Sequence, residues 1–169
     1  MKNKLWKNED FESWNTVFNT NVTSVYFSTV AFLPLLQAGI DAPGHGHLSP
    51  SVIVISSMSG IMREAQGHFS YNAAKGATVH LSKLMSAEFM KAKIRVNSIA
   101  PGYFPSEMTM GESDESNKTH MPDEEVQQKG HVPAQRPGSD AEMAQAVVRI
   151  SFNVQRCSWH PQLIHDEFI

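Results

Sequence analysis

Tyr71 and Lys75 are the residues of this chain whose types and spacing best suit proton transfer. Four positions apart on a helix, they share one face. An ammonium beside a phenol favours the phenolate, and a phenol whose ordinary pKa is about 10 needs such help to exchange protons near neutral pH. Tyr-x-x-x-Lys is a short pattern, so its meaning depends on the elements that position it.

Those elements have a definite order. Val52-Ile53-Val54-Ile55 is a β-branched run of strand type, and it ends in Ser56-Ser57-Met58-Ser59-Gly60. The stretch Ser51 to Ser57 carries apolar residues without polar alternation, which predicts burial on both faces, as in a parallel sheet covered by helices. From Phe69 to Met90 the residues Ala73, Ala77, Leu81, Leu84, Met85 and Phe89 give a helical packing face, and Gly76 permits close approach. A second strand, Ile94 to Ala100, stops at Pro101-Gly102. The order is strand, serine, helix with Tyr and Lys, strand, Pro-Gly loop.

Upstream, apolar residues from Phe11 to Leu36 recur at mostly helical spacing and predict one long helix from about Asp10 to Gln37. Pro34 would bend it near its end, and Gly39 would terminate it. Ala42 to Pro50 reads as a surface loop. Between Met108 and Arg136 apolar anchors are few, with one short helix around Asp123 to Gln128. Ser139 to Ile150 reads as a helix capped by Ser139 or Asp140.

Composition narrows the classes. A chain of 169 residues with 41% hydrophobic content is compatible with one packed domain. A net charge of -3 offers no basic footprint for nucleic acid, and no apolar stretch is expected to be long enough to cross a membrane. Cys157 stands alone, so no disulfide framework is implied, and Met1 to Lys7 lacks the apolar core of a signal peptide. A reducing, cytoplasmic setting fits these features. His45-Gly46-His47 lies in a Gly-rich loop with no Cys or carboxylate partner at ligand-like spacing, so no metal site is predicted.

The ordered segments Ile55-Ser56-Ser57-Met58-Ser59-Gly60, Tyr71-Asn72-Ala73-Ala74-Lys75-Gly76-Ala77 and Arg95-Val96-Asn97-Ser98-Ile99-Ala100-Pro101-Gly102 resemble the short-chain dehydrogenase/reductase family. Trp14 through Asn21 is similar to the family segment that ends in a structural asparagine, and the resemblance runs from about Phe11 to Val148. It is nearest to fungal members labelled 3-oxoacyl-carrier-protein reductase-like. The fold it implies is α/β, the C-terminal half of a Rossmann-like, doubly wound parallel sheet. The activity it implies is NAD(P)-dependent interconversion of a ketone and a secondary alcohol, with NADP slightly favoured over NAD.

The resemblance also implies roles. Tyr71 would be the acid/base group, and Lys75 would lower its pKa and bind the nicotinamide ribose. Ser57 would share a hydrogen bond with the substrate oxygen; it stands three residues before Gly60, with Ser56 and Ser59 as alternatives. Asn21 would hold, through its backbone carbonyl, a water linked to the lysine, whereas Asn15 and Asn19 suit solvent-facing positions. Pro101, Gly102, Phe104 and Ser106 would wrap the nicotinamide, with the Phe104 amide reaching its carboxamide. His68 reads as a packing or substrate-loop residue rather than a second base. A substrate-covering lid would occupy Met108 to Arg136, and the two long helices would form an oligomer interface.

Two departures stand out. No turn of the type Thr-Gly-x-x-x-Gly-x-Gly, which would cradle a pyrophosphate at a helix N-terminus, occurs in the chain, so residues 1–150 are expected to be a partial domain lacking the nucleotide-binding half. Residues 151–169 form an atypical tail, expected to reflect a changed reading frame or gene structure near Phe152. A non-catalytic remnant that associates with a complete relative is the alternative to the enzyme.

Overall fold

The computed structural model describes residues 9–42, 49–65, 67–107, 113–115, 119, 122–129, 134–152 and 163–164. Helix α1 (Phe11–Phe18) and helix α2 (Ser24–Asp41) are joined end to end by a π-helical turn, Asn19–Thr23. Strand β1 (Ser51–Ile55) leads through a 3-10 turn, Met58–Gly60, to helix α3 (Phe69–Phe89). A second 3-10 turn, Met90–Ala92, precedes strand β2 (Arg95–Ile99). Helix α4 (Asp123–Lys129), helix α5 (Asp140–Phe152) and strand β3 (Leu163–Ile164) follow.

Among the described residues the strands form one parallel sheet in the order β1-β2-β3. Ser51 pairs with Arg95 and Ile55 with Ile99, while Ser98 and Ile99 pair with Leu163 and Ile164. Parallel neighbours require a long crossover, and α3 supplies it between β1 and β2. Val54, Met85 and Val96 form the core cluster of strands and crossover helix, with Val25, Val52, Leu81 and Phe89 packed against it. The α/β arrangement predicted from the residue order is therefore present.

Arg95 fastens α5 to the start of β2. Its guanidinium donates to the carbonyls of Ile150 and Ser151 at 2.9 and 2.7 Å, and to the Ser49 carbonyl and hydroxyl at 3.0 and 2.7 Å. A cation there serves carbonyls left without partners at a helix C-terminus and opposes the negative end of the helix dipole. Lys93 ends the α3 crossover in the left-handed region at φ 59, a conformation more often taken by glycine.

Three expectations are corrected. The first helix runs past Gly39 to Asp41, because the next residue, Ala42, is the first to turn extended (φ -69, ψ 131). Strand β1 is not buried on both faces: Val54 is buried, but Ile55 is 49% exposed. The reason is alternation: Val54 packs with Met85 and Val96 on one face, and Ile55 points to the opposite one. The span Phe11–Asp41, 31 residues, is long and apolar enough by length and composition to cross a membrane, a test that core helices of soluble proteins also pass. Much of this helix is exposed, including Phe27, Phe32 and Leu35, and Thr29 is the one buried residue of α2.

Candidate functional site

Parallel sheets present their functional loops at the carboxyl ends of the strands, and Ser57, Lys75 and Pro101 are placed there. Just past β1, the backbone N–H and the hydroxyl of Ser56 both donate to the Ile99 carbonyl, at 2.7 and 2.9 Å. Ser98 donates to the Ser56 hydroxyl oxygen at 2.8 Å, and both serines are buried. Ser56 is thus committed to joining β1 to β2. Ser57 is bonded differently, since its Oγ accepts the Ser59 N–H at 3.1 Å and caps the 3-10 turn. That bond occupies a lone pair and leaves the hydroxyl hydrogen free to be donated.

The turn after Ser57 is pressed onto α3 through glycine. A Cβ at Gly60 would lie 2.5 to 2.7 Å from the Lys75 carbonyl group and the Gly76 nitrogen, too close for any side chain. From the helix side, a Cβ at Gly76 would meet the Gly60 oxygen at 3.3 Å. This contact brings the serine turn against the helix at Lys75 itself.

Tyr71 is the third residue of α3, and Lys75 follows one turn later. The Lys75 Nζ lies 5.6 Å from the centre of the Tyr71 ring, within cation–π range. It also donates to the Ile55 carbonyl at 3.3 Å, tying the ammonium to the end of β1. Burial strips water from this ammonium and pushes its pKa below the ordinary lysine value. His68, at the N-cap position, makes no side-chain cap hydrogen bond; its backbone bonds to Ala65 and Asn72 instead.

The loop after β2 closes the other side. The Met58 N–H donates to the Pro101 carbonyl at 3.0 Å, and a Cβ at Gly102 would meet the Met58 sulfur at 3.4 Å. Pro101, Gly102, Phe104 and Ser106 are half-buried in this segment. Phe104 lies so close over Gly138 that a Cβ there would fall 2.3 Å from its ring, and the Gly138 N–H donates to the Tyr103 carbonyl at 2.8 Å. Gly138 is therefore a residue of the site's frame that the sequence reading did not single out.

Asn21 sits in the π turn, a feature often found where a helix serves function. Its side chain donates to the Val17 carbonyl at 2.9 Å, and its own carbonyl accepts the Thr78 hydroxyl at 2.8 Å. Thr78 is also 2.9 Å from the Ala74 carbonyl. The Asn21 carbonyl thus faces α3 three residues beyond Lys75.

Glu9, also missed from sequence, binds the start of α3. Its Oε1 accepts the backbone N–H and the hydroxyl of Ser70 at 3.0 and 3.1 Å. The Ser70 amide is the main cause that lowers its carboxyl pKa below the usual value. No local pattern pairs residues so distant in the chain.

Among the described residues no cluster of three or more His, Cys, Asp or Glu could hold a metal ion. His45 and His47 lie outside the described residues, as do parts of the expected lid between Met108 and Arg136 and most of the tail.

Comparison with known proteins gives the same direction. A model of the family described as short chain dehydrogenase matches residues 1–117. The short-chain dehydrogenase/reductase PhomF′ of Diaporthe leptostromiformis is 44% identical over 94 residues, covering 56% of this chain and 32% of that protein. The short-chain dehydrogenase/reductase SAT3 of Stachybotrys chartarum is 32% identical over 164 residues, covering 89% of this chain and 59% of that protein. Among solved structures, the Pseudomonas aeruginosa RhlG/NADP active-site complex superposes with a TM-score of 0.71 at 30% identity, over 93% of this chain and 60% of that one. The chain spans about a third to three-fifths of the length of these two curated relatives.

Proposed function

Because the chain belongs to the short-chain dehydrogenase family, we propose that it carries the proton-transfer half of an NAD(P)-dependent oxidoreductase that interconverts a ketone and a secondary alcohol. The observation that carries this reading is the Tyr71 and Lys75 pair, set at the carboxyl end of β1 by the Lys75 bond to Ile55 and by the Gly60 contact. A half-buried ammonium beside a phenol stabilises the phenolate left after proton donation.

In reduction, Tyr71 gives its proton to the carbonyl oxygen while the Ser57 hydroxyl donates a hydrogen bond to the same oxygen as negative charge develops. In oxidation the phenolate removes the alcohol proton, and Ser57 steadies the same oxygen. Lys75 restores the balance of charge near Tyr71. The Asn21 carbonyl offers an acceptor from which a proton relay could reach Lys75. A nicotinamide dinucleotide supplies or takes the hydride when bound.

The donor set here suits the nicotinamide end of such a cofactor: Tyr71 and Lys75 for the ribose, and Pro101, Gly102, Phe104 and Ser106 around the ring. No Gly-rich turn of the kind that cradles a pyrophosphate occurs in the sequence, and NADP differs from NAD only at the 2′ position of the adenosine ribose. The substrate is a small carbonyl compound or alcohol.

The test is turnover of a ketone panel with reduced nicotinamide, compared with Tyr71→Phe. Loss of about 10²- to 10⁴-fold in rate is expected; equal rates would overturn the reading. One observation favours a second reading, a non-catalytic partner of a complete relative: Ile55 at the open side of β1 and Phe27, Phe32 and Leu35 on α2 are exposed apolar residues. Such surface favours association, whether between copies of this chain or with a relative. Co-purification with a full-length relative and no turnover would support that reading.

A further inference from the structure

Two adjacent acidic residues begin two different helices. Asp10 caps its own helix, accepting the Ser13 N–H at 2.7 Å while the Ser13 hydroxyl oxygen accepts the Asp10 N–H at 3.1 Å. Glu9 reaches to the start of α3, 61 residues further on. Its Oε1 takes both donors of Ser70, and its Oε2 accepts the Trp14 indole N–H at 3.2 Å. Trp14 is fixed in turn by stacking on Phe18, with ring centres 6.0 Å apart and planes 12° from parallel. The carboxylate is therefore held from both sides.

Its target is a weak point. The first amides of a helix have no partner within it, and the N-cap residue His68 supplies no side-chain acceptor. Glu9 serves the amide of Ser70, which is 8% exposed, and its charge complements the positive end of the α3 dipole. Helix ends open locally more readily than helix interiors. Tyr71 follows Ser70 directly and lies in that first turn. Lys75 lies beyond it, secured by Ile55 and by the Gly60 contact.

We propose that Glu9 is a positioning residue for Tyr71, holding the first turn of α3 through Ser70 so that the phenol stays presented to Lys75 and substrate. The inference rests on the reading of Tyr71 as the acid/base group, and it makes a selective claim. Loosening the turn displaces Tyr71 and leaves Lys75 in place, so catalysis suffers more than affinity for the nicotinamide dinucleotide, whose ribose Lys75 still meets.

The experiment compares Glu9→Ala and Glu9→Gln in the full chain, using ring-labelled tyrosine NMR, amide hydrogen exchange and, where wild type turns over, kinetics. The three tyrosines are Tyr26, Tyr71 and Tyr103, each assigned by its Phe variant. Glu9→Ala is expected to speed exchange at Ser70 and Tyr71 by about 5- to 10-fold, the scale of a lost cap, and to move the Tyr71 ring resonance alone. Turnover should fall by a similar factor, with KM for NADPH rising by less than kcat falls. Glu9→Gln keeps an oxygen for the Ser70 amide and should recover most of each loss.

Unchanged exchange at Ser70 with an unmoved Tyr71 resonance would overturn the proposal, as would equal disturbance of all three tyrosines or a rise in KM at constant kcat. Should Glu9→Ala not fold, Trp14→Phe removes the indole donor that orients Glu9 while keeping an aromatic ring against Phe18, and the same signals decide. If wild type shows no turnover, or Tyr71→Phe leaves it unchanged, the acid/base reading fails separately. Exchange and the ring resonance still determine whether Glu9 positions residue 71.

Discussion

The beginnings of α3 and α5 solve one chemical problem from opposite distances. At α5 the solution is local: Glu142 accepts the Ser139 N–H at 2.8 Å, and Ser139 Oγ accepts the Glu142 N–H at 3.3 Å, a capping box. Arg136 completes it with two bonds to the same carboxylate, at 2.6 and 3.1 Å. At α3 the acceptor is Glu9, brought from 61 residues upstream. A local cap needs nothing but its own segment, whereas the cap of α3 exists only when α1 is docked. The difference makes the placement of Tyr71 conditional on tertiary structure.

The sharpest way to break the α3 arrangement is at Gly60. Gly60→Ala would push against the backbone of Lys75 and Gly76 and should cost about 1–3 kcal/mol, as overpacking does. Gly102→Ala, whose Cβ would meet only the Met58 sulfur at 3.4 Å, should stay within about 0.5 kcal/mol. Urea unfolding of the two variants checks the contrast, and similar losses would mean that the Gly60 contact is not what seats the serine turn.

A smaller effect separates the two caps. Glu9→Ala and Glu142→Ala should each cost about 1 kcal/mol of stability, the scale of cap removal. Turnover should fall only in the first, because α5 carries none of the proposed proton-transfer residues. Chemical denaturation beside steady-state kinetics separates the two outcomes.

Acid refines the comparison further. The Arg136 guanidinium, with the Ser139 amide, holds the Glu142 carboxyl at about 2, below its ordinary 4.5. A depressed carboxyl contributes stability that is complete above pH 4.5 and lost as pH falls towards 2. The gap in stability between wild type and Glu142→Gln should therefore close across that window, as measured by unfolding at fixed pH. The smallest change is expected at the exposed pair Lys91 and Glu88, whose side chains are 70% and 66% exposed. Lys91→Ala should shift stability by no more than about 0.5 kcal/mol.

What was legible in the sequence follows the same division between near and far. A helix capped by Ser139 or Asp140, of which Ser139 is the one that caps, the strand before Ser56, the body of α3 and the short helix at Asp123 all rest on neighbouring residues, and all are present. Tyr71 and Lys75 share a helix face because their spacing alone ensures it. The roles of Glu9, Gly138 and Arg95 were not read, since each acts on a segment that only folding brings near. Gly39 looked like a terminator, yet the helix continues through it to Asp41. Residue order could not report that Ile55 would be half-exposed, because burial of a strand face depends on what packs over it.

The central claim is that Tyr71 and Ser57 act on one oxygen atom. A double-mutant cycle on carbonyl reduction, with Tyr71→Phe, Ser57→Ala and the combination, tests it most directly. Groups that work as a unit are non-additive, so the double variant should be little slower than Tyr71→Phe alone. Rate losses that simply multiply would show the two hydroxyls acting independently and would contradict the account.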